Sequence, residues 1–331
     1  MAAGYPTCLS RRVKKSVPDG TIGISLKKTA RRKRVRRLLH FYLRMLAKQR
    51  ARWYNHLAFL IDLTEETIML KDANCIVFKV GTSTIMYPTK KTNIRVIDFL
   101  AQVLCDLANS GKRVVLVTSG AIGVGVEKLS LEKRPRDTAG KQAAATVGQC
   151  ALMYLYDKMF AQYGRSVGQL LMTKDDVDHA NRRQNLINAF QRLFDFGVIP
   201  IVNENDAVAV EEIVYGDNDS LSAVVATLVE ADALVILTET DGLYDANPAT
   251  HPEAKRIPVV EKVTDEIRAL AGGTETGLGT GGMATKVHAA EIAAESGIPT
   301  YILNGADPKL IYSLIDGKDV GTHFLAGKDF K

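Results

Sequence analysis

Short apolar runs alternate with segments of helical periodicity along most of this chain, and this alternation limits the fold more than any other feature. The runs at 75–80 (CIVFKV), 113–122 (RVVLVTSGAI) and 233–244 (ALVILTETDGLY) read as short strands. Between the first two, residues 92–110 repeat Ile, Val and Leu at helical spacing. Continuous apolar strands are typical of parallel sheets covered on both faces. The sequence therefore predicts an α/β fold with an open, mostly parallel sheet flanked by helices.

The same pattern continues in the second half of the chain. It predicts helices at about 138–162, 179–196 and 261–271, strands at 197–208 and 298–305, and a loop that turns into a helix within 216–231. No run of about 18 apolar residues exists, so the sequence predicts no membrane span. The four cysteines are far apart, which argues against a disulfide framework or a zinc site and for a reducing compartment such as the cytoplasm.

The N-terminal segment differs from the rest of the chain in charge. Residues 1–60 contain 16 Lys and Arg against one acidic residue, whereas the whole chain has a net charge of only +6. Residues 1–70 are therefore interpreted as a basic extension, disordered or partly helical, with translation from near Met69 as an alternative. The Arg-rich, acid-poor composition also fits organellar targeting, although a targeting peptide should be richer in serine. A nucleic-acid-binding arm is a further alternative that we do not favour.

Polar residues follow four of the predicted strands at the point where each strand ends. These segments are Lys79–Ser83, Thr118–Ala121, Asn203–Asp206 and Thr238–Glu239. In open parallel sheets, ligands bind beyond the carboxyl ends of the strands. The sequence therefore predicts that the four segments lie along one rim and form the functional site.

A glycine-rich stretch, GTETGLGTGGMATK, leads into a helix-like segment with Lys286 at its start. Exposed backbone N–H groups and a positive helix end attract anions, and phosphate is the expected one. Gly277, Gly279 and Gly282 have the G-x-G-x-x-G spacing of a dinucleotide-binding motif. That motif requires a strand directly before it, whereas the sequence here predicts a helix, so the match is weak. The stretch is not a nucleotide P-loop either, since glycine does not directly precede the lysine. A plain flexible loop explains the glycines but not the lysine.

Lys79 lies inside an apolar strand, where an ammonium group needs an anionic partner. The alternative is an edge strand from which the side chain reaches water. Asp206, Asp217 and Asp219 can each be explained as turn or cap residues. Together with the lysines, however, they offer cations for phosphate charge and acids to orient those cations. That combination is typical of ATP-dependent phosphoryl transfer.

Five motifs occur in one order along the chain, and together they resemble the glutamate 5-kinase family of the amino-acid kinase superfamily. They are FKVGTS (78–83), VTSGAIGVG (117–125), VNENDAVA (202–209), GDND (216–219) and GLGTGGMATK (277–286). The resemblance covers about residues 74–326, which we take as an amino-acid kinase domain. It implies a three-layer αβα sandwich around a mainly parallel open sheet. The chain ends at GTHFLAGKDFK, so we expect neither the RNA-binding-type PUA domain of many bacterial members nor a fused reductase.

The resemblance also implies an activity, which is ATP-dependent phosphorylation of the side-chain carboxylate of L-glutamate in proline biosynthesis. By analogy, Lys79 and Lys286 flank the γ-phosphate and Asp219 orients both, while backbone N–H groups near Gly81 and Gly120 help to hold the phosphate. Magnesium is expected to arrive with ATP rather than to occupy a protein metal site. The implied glutamate-binding residues are Ser119, Asp206 and Asn218. The implied ATP-binding residues are Lys79, Gly81, Thr238, Glu239, Thr280, Gly281, Gly282, Met283, Ala284, Thr285 and Lys286.

One position departs from the family pattern, since Glu239 stands where aspartate is usual. The resemblance further implies a homo-oligomer, feedback inhibition by proline with residues 130–141 near the glutamate site, and hand-over of the product to a separate glutamyl-phosphate reductase. The rival interpretations are another member of the superfamily, such as an acetylglutamate kinase, and a non-catalytic amino-acid sensor.

Overall fold

The computed structural model describes residues 70–208, 218–272 and 282–326. Of the two units into which the chain divides, the described residues belong to the second, which begins at Ile68. The basic extension, apart from its last residue, lies outside the described residues. The assignment of residues 1–70 to an extension and of residues 74–326 to a kinase domain therefore stays a prediction.

The described strands form one sheet of eight. They are β1 (Cys75–Val80), β2 (Arg113–Thr118), β3 (Val167–Met172), β4 (Ile199–Glu204), β5 (Ala233–Thr238), β6 (Val259–Val260), β7 (Thr300–Asn304) and β8 (Thr322–Phe324). Their order across the sheet is β3-β4-β2-β1-β5-β7-β8-β6. Every neighbouring pair is parallel except β7 and β8. The mainly parallel sheet predicted from the apolar runs is confirmed.

Helices cover both faces of the sheet. They are α1 (Thr82–Ile85), α2 (Ile94–Asn109), α3 (Ala121–Lys128), α4 (Thr138–Gln162), α5 (Lys174–Asp178), α6 (Ala180–Asp195), α7 (Asn218–Leu228), α8 (Asp265–Ala271), α9 (Met283–Glu295) and α10 (Leu310–Ile315), after a 3-10 turn at Leu70–Asp72. No helix in the described ranges combines the length and the apolar character that crossing a bilayer requires.

The side chains of β1 show why the fold has three layers. Ile76, Phe78 and Val80 pack into one hydrophobic cluster, with α2 and α4, whereas Cys75 and Val77 pack into a second, with α7 and α9. Consecutive side chains of a strand point to opposite faces, so a strand with apolar side chains on both faces must be covered twice. The αβα sandwich follows from this requirement.

Several element boundaries differ from those predicted. The strand predicted within 113–122, with a break at Ser119–Gly120, ends at Thr118 as that break indicates, whereas the one predicted at 233–244 ends earlier, at Thr238. Gly120 has a φ of 96°, a left-handed conformation that glycine tolerates, and helix α3 starts directly after it. The sharp turn brings polar residues to the sheet edge, at the point where the sequence predicts the strand to break. The pattern also gave no indication of β3 or of the short strands β6 and β8.

Helices α3 and α4 cross at very short range through two glycines. A Cβ atom added at Gly148 would lie 1.8 Å from the carbonyl oxygen of Ala121, and one added at Gly125 would lie 1.8 Å from that of Ala144. Neither backbone oxygen can move without shifting its helix. The crossing therefore fixes the start of α3, which directly follows the Ser119–Gly120 turn.

We expect Gly148→Ala to destabilise the fold by about 1–3 kcal/mol, because the helices must separate to admit the methyl group. The expected loss of stability is opposite in sign to the stabilisation of about 1 kcal/mol that a Gly→Ala substitution normally gives inside a helix. Thermal unfolding of the purified variant measures the effect. Gly272→Ala is the matched control, since its added Cβ would make only an ordinary contact at 3.6 Å. An unchanged or higher melting temperature for Gly148→Ala would contradict the close crossing.

Candidate functional site

The four polar segments predicted at strand ends do lie along one edge of the sheet. Their strands are neighbours in the order β4-β2-β1-β5, and all run in the same direction. Val80, the last residue of β1, is in register with Thr118 of β2 on one side and with Leu237 of β5 on the other. Since parallel strands end at the same edge, the polar residues that follow them come together there.

A carboxylate between two lysines occupies the centre of this edge. The Nζ atom of Lys79 lies 2.5 Å from Oδ1 of Asp219, and the Nζ atom of Lys286 lies 3.1 Å from Oδ2. The Asp219 side chain is fully buried, and each lysine side chain is 6% exposed. Lys79 comes from β1, Asp219 from the first turn of α7 and Lys286 from the first turn of α9. The anionic partner that the sequence required for Lys79 is therefore Asp219.

Electrostatics keep this cluster charged. Burial by itself would raise the pKa of Asp219, but the ammonium groups of Lys79 and Lys286 outweigh it and lower the pKa to about 2. The carboxylate is thus ionised at neutral pH. Two ammonium groups and one carboxylate leave a net positive charge in a largely dry environment, which favours binding of an anion.

Gly81 leaves space for such an anion beside Lys79. A Cβ atom added at this position would lie 3.6 Å from the Lys79 Nζ atom and 3.9 Å from the Ser83 Oγ atom. The φ of Gly81 is −85°, which any residue adopts, so its conformation alone does not require glycine. The missing side chain instead leaves the approach to the ammonium group uncovered.

A second group of contacts lies at the ends of β2 and β4. The Asn218 side-chain amide donates towards the Thr118 carbonyl oxygen at 2.7 Å, the Ser119 Oγ atom at 3.0 Å and the Asn203 Oδ1 atom at 2.8 Å. Asn203 in turn donates to Gln149 Oε1 of α4 at 2.8 Å. The predicted residues Ser119 and Asn218 are thus brought together, directly beside the lysine cluster because Asn218 precedes Asp219.

Sequence reasoning missed the contribution of α4 to this group. Gln149 supports Asn203, and the fully buried Tyr156, two turns further on, places its hydroxyl 2.7 Å from Thr118 Oγ1. Gln149 and Tyr156 are seven residues apart and therefore share one helical face. That spacing is the only available signal, and it does not distinguish support of a site from ordinary core packing.

Asp206 follows β4 and lines a cavity of about 360 Å³, which it shares with Gln149 and Asn205. Apolar groups of Ala145, Met153 and Leu171 form other parts of the wall. Burial raises the pKa of Asp206, and the Arg134 guanidinium group partly opposes this shift. An acid in this position favours a cationic partner. No pattern in the sequence indicated that Arg134 influences the pKa of Asp206.

The predicted nucleotide side is built by the ends of β5 and β7. Thr238 accepts a backbone hydrogen bond from Gly305 at 2.7 Å, and Asn304 donates its side-chain amide to the Glu239 carbonyl oxygen at 3.2 Å. The Glu239 side chain is exposed, so replacement of the usual aspartate does not disturb the core. Asn304 belongs to this side of the site, although no sequence motif indicates it.

The remaining predicted ATP-binding residues that the structure describes form the start of α9. Gly282 is the N-cap residue of this helix, and Met283, Ala284 and Thr285 form its first turn with Lys286. Thr280 and Gly281 lie outside the described residues, as does Asp217 of the GDND motif. Across the described ranges, no three His, Cys, Asp or Glu side chains form a group suited to a metal ion.

We expect Asp219→Asn to lower the free energy of unfolding by about 3–5 kcal/mol at pH 7, because two buried ammonium groups lose their counter-charge. Since the folded-state pKa of Asp219 lies below its ordinary value of 3.8, its stabilising contribution is complete above about pH 5 and is lost as the pH falls towards 2. The difference in melting temperature between wild type and variant should therefore be smaller at pH 3 than at pH 7.

Asp178→Asn is the matched control, because Asp178 pairs with Lys174 on the surface. It should change stability by less than about 1 kcal/mol. A melting-temperature difference for Asp219→Asn that is the same at pH 3 and pH 7 would argue against an ionised carboxylate at this position.

Solved structures with the same architecture belong to several phosphotransferases. The chain superimposes on the UMP kinase of Bacillus anthracis with a TM-score of 0.53, at 14% identity over 77% of this chain and 96% of that one. It superimposes on an isopentenyl phosphate kinase with a TM-score of 0.55, at 17% identity over 76% of this chain and 99% of that one. At these identities the likeness shows the fold alone.

Sequence comparison identifies the family. The amino acid kinase family profile matches residues 74–304. The chain is 48% identical to the glutamate 5-kinase of Clostridium perfringens over 263 residues, which cover 78% of this chain and 98% of that protein. It is 50% identical to the glutamate 5-kinase of Clostridium tetani, over 78% of this chain and 97% of that protein. With the motifs assembled at one sheet edge, these matches show that the chain belongs to the glutamate 5-kinases of the amino acid kinase family.

Proposed function

We propose that the chain transfers the γ-phosphoryl group of ATP to the side-chain carboxylate of L-glutamate, which gives ADP and L-glutamyl 5-phosphate and begins proline biosynthesis. The observation that carries this proposal is the buried cluster of Lys79, Asp219 and Lys286 at the carboxyl edge of the sheet. Glutamate 5-kinases at 48–50% identity make glutamate the expected acceptor.

The chemistry needs charge compensation more than a base. The acceptor carboxylate is already an anionic nucleophile, so no proton has to be removed from it. It must, however, approach a triphosphate of the same charge, and the transition state spreads negative charge over the equatorial oxygens of the phosphoryl group. Lys79 and Lys286 come from different elements and converge on Asp219. Two ammonium groups so placed can flank a phosphoryl group and stabilise it electrostatically.

Asp219 has an orienting role in this mechanism. Its carboxylate would repel phosphate, but it lies behind the ammonium groups and fixes the position of each. Because it is buried, it also keeps both lysines close together when no nucleotide is bound, despite their mutual repulsion. The site is therefore preorganised before ATP arrives.

Magnesium is proposed to enter with ATP, bound to phosphate oxygens. When bound, it neutralises charge on the β- and γ-phosphates. Asp219 does not fit as a direct ligand of the ion, since its two oxygens already face Lys79 and Lys286. The role of the chain's own residues is to hold the phosphates and to exclude water.

For glutamate, we propose binding between Ser119, Asn218 and Asp206. Ser119 and Asn218 lie 3.0 Å apart beside the lysine cluster, which suits the reacting end of the substrate. Asp206 lines the neighbouring cavity and suits the α-ammonium group. An N-acetylated substrate would leave this acid desolvated and without a cationic partner, so the pocket favours free glutamate over acetylglutamate.

Lys286→Met is expected to reduce kcat/KM by about 100- to 1,000-fold, because it removes one preorganised cation from the transition state. The assay measures glutamate-dependent ADP release, with the acyl phosphate trapped as hydroxamate. Lys318→Ala, at an exposed lysine paired with Asp316, serves as the control and should retain activity. ATP binding by the wild type without turnover of glutamate, N-acetylglutamate or aspartate would favour the amino-acid sensor instead.

Asp206→Asn should raise the KM for glutamate by about 10- to 100-fold with little change in kcat, since it weakens a charge-assisted contact distant from the transferred group. Asp157→Asn, an exposed position on α4, is the control. The same assay with N-acetylglutamate tests the acetylglutamate kinase alternative. A wild-type enzyme that prefers the acetylated substrate would refute the assignment of Asp206 to the α-ammonium group.

The family resemblance supports four further proposals: a cytoplasmic location, a homo-oligomer, inhibition by proline and contact with a separate glutamyl-phosphate reductase. The contact with the reductase has a chemical reason. The product is an acyl phosphate, which hydrolyses readily in water, so direct transfer to the reductase would limit its loss. Light scattering tests the oligomer, and titration of the glutamate assay with proline tests the inhibition. Failure of the purified kinase and reductase to associate or to channel the product would count against the contact.

A further inference from the structure

The hydroxyl group of Thr285 faces the central carboxylate. Its Oγ1 atom lies 2.7 Å from Oδ2 of Asp219 and 2.8 Å from the carbonyl oxygen of Gly282. Both neighbours are acceptors, and the hydroxyl has one proton to donate. A carboxylate is the stronger acceptor of the two, so the proton is directed mainly to Asp219. The side chain of Thr285 thus interacts with the residue that orients the lysines.

Asp219 needs a partner of this kind during the proposed reaction. In the structure, the ammonium groups of Lys79 and Lys286 form ion pairs with its two oxygens. When these lysines turn part of their donors towards a phosphoryl group, the buried carboxylate loses some of its stabilisation. The Thr285 hydroxyl has a single proton, and its acceptors are both within the protein. It can therefore stay with Asp219 throughout the transfer.

We propose that Thr285 is a positioning residue, which holds the Asp219 carboxylate in place while Lys79 and Lys286 engage the transferred phosphoryl group. This inference rests on the proposed kinase activity, and it assigns the Thr285 side chain to the carboxylate rather than to the nucleotide. Thr285 and Lys286 are consecutive in the first turn of α9 and both reach Asp219 Oδ2. The start of α9 is thereby attached to α7 by one neutral and one charged contact.

A second hydroxyl contact between the same two helices provides a matched control. Thr227 of α7 lies 3.1 Å from the Ser296 hydroxyl at the end of α9, and its Oγ1 atom also donates to the carbonyl oxygen of Ala223 at 3.2 Å. Thr227→Val removes a helical threonine hydroxyl that joins α7 to α9, as Thr285→Val does, but far from the carboxylate. Any effect of loosening the helix pair in general appears in both variants.

The test compares wild type, Thr285→Val, Thr285→Ser and Thr227→Val in the full chain. We expect Thr285→Val to lower kcat by about 10- to 100-fold, the effect of losing one hydrogen bond to a charged group, with the dissociation constant of ATP unchanged. Thr285→Ser, which keeps the hydroxyl, should recover most of this loss, and Thr227→Val should lose none. Circular dichroism checks folding, and Thr285→Ala replaces the valine variant if that variant does not fold.

Two results would overturn the inference. Weaker ATP binding by Thr285→Val with unchanged kcat would mean that the side chain contacts the nucleotide. Equal kcat for Thr285→Val and wild type would mean that the hydroxyl is dispensable.

A readout without catalysis separates this inference from the proposed function. Without the Thr285 donor, the ionised form of Asp219 is less stabilised, so Thr285→Val should lower the melting temperature more at pH 7 than at pH 3. Thr227→Val should lower it equally at both values. Absence of glutamate turnover in the wild type would refute the function alone, whereas a pH-independent effect of Thr285→Val would refute the inference alone.

Discussion

A single buried carboxylate holds the functional end of this molecule together. Asp219 is fully buried, and ionised groups in such a position are destabilising unless they are paired. Its partners come from β1 and α9, which are otherwise separate parts of the chain. Removing Asp219 would leave two uncompensated ammonium groups in the interior. The same constraint that stabilises the fold therefore keeps the two ammonium groups at one point, and the proposed mechanism uses the arrangement that folding requires.

The order of the strands makes this pairing available. β1 lies between β2 and β5, so Lys79 occupies the middle of the sheet rather than its edge. An edge position would have let the lysine reach water, which was the alternative explanation of its sequence context. The close crossing of α3 and α4 at Gly125 and Gly148 then fixes the turn after β2, and Gln149 and Tyr156 of α4 support the neighbouring strand ends. One helix thus positions the polar groups on the proposed glutamate side.

The elements missed from the sequence share a physical cause. β3 is a sheet-edge strand containing Gly168 and Gln169, and five of its six residues are partly buried or exposed, so its apolar signal is weak. β6 and β8 have two and three residues, too few to establish a period. Among the site residues, Gln149, Asn304 and Arg134 went unnoticed because each acts through a neighbour that is distant in sequence. Local periodicity carries no information about such contacts.

The sequence by itself determined the type of each long element, the mainly parallel sheet and the requirement that Lys79 find an anion. These conclusions depend on the period of apolar residues and on the penalty for burying an unpaired charge, both of which are local properties. Only the tertiary structure decided that Asp219 meets both lysines and that Thr285 turns its hydroxyl to the same carboxylate. Lys286 and Asp219 are 67 residues apart in the chain. Their contact depends on the order of the strands and on the packing of α7 against α9. The local sequence around Asp219 or Lys286 predicts neither of these features.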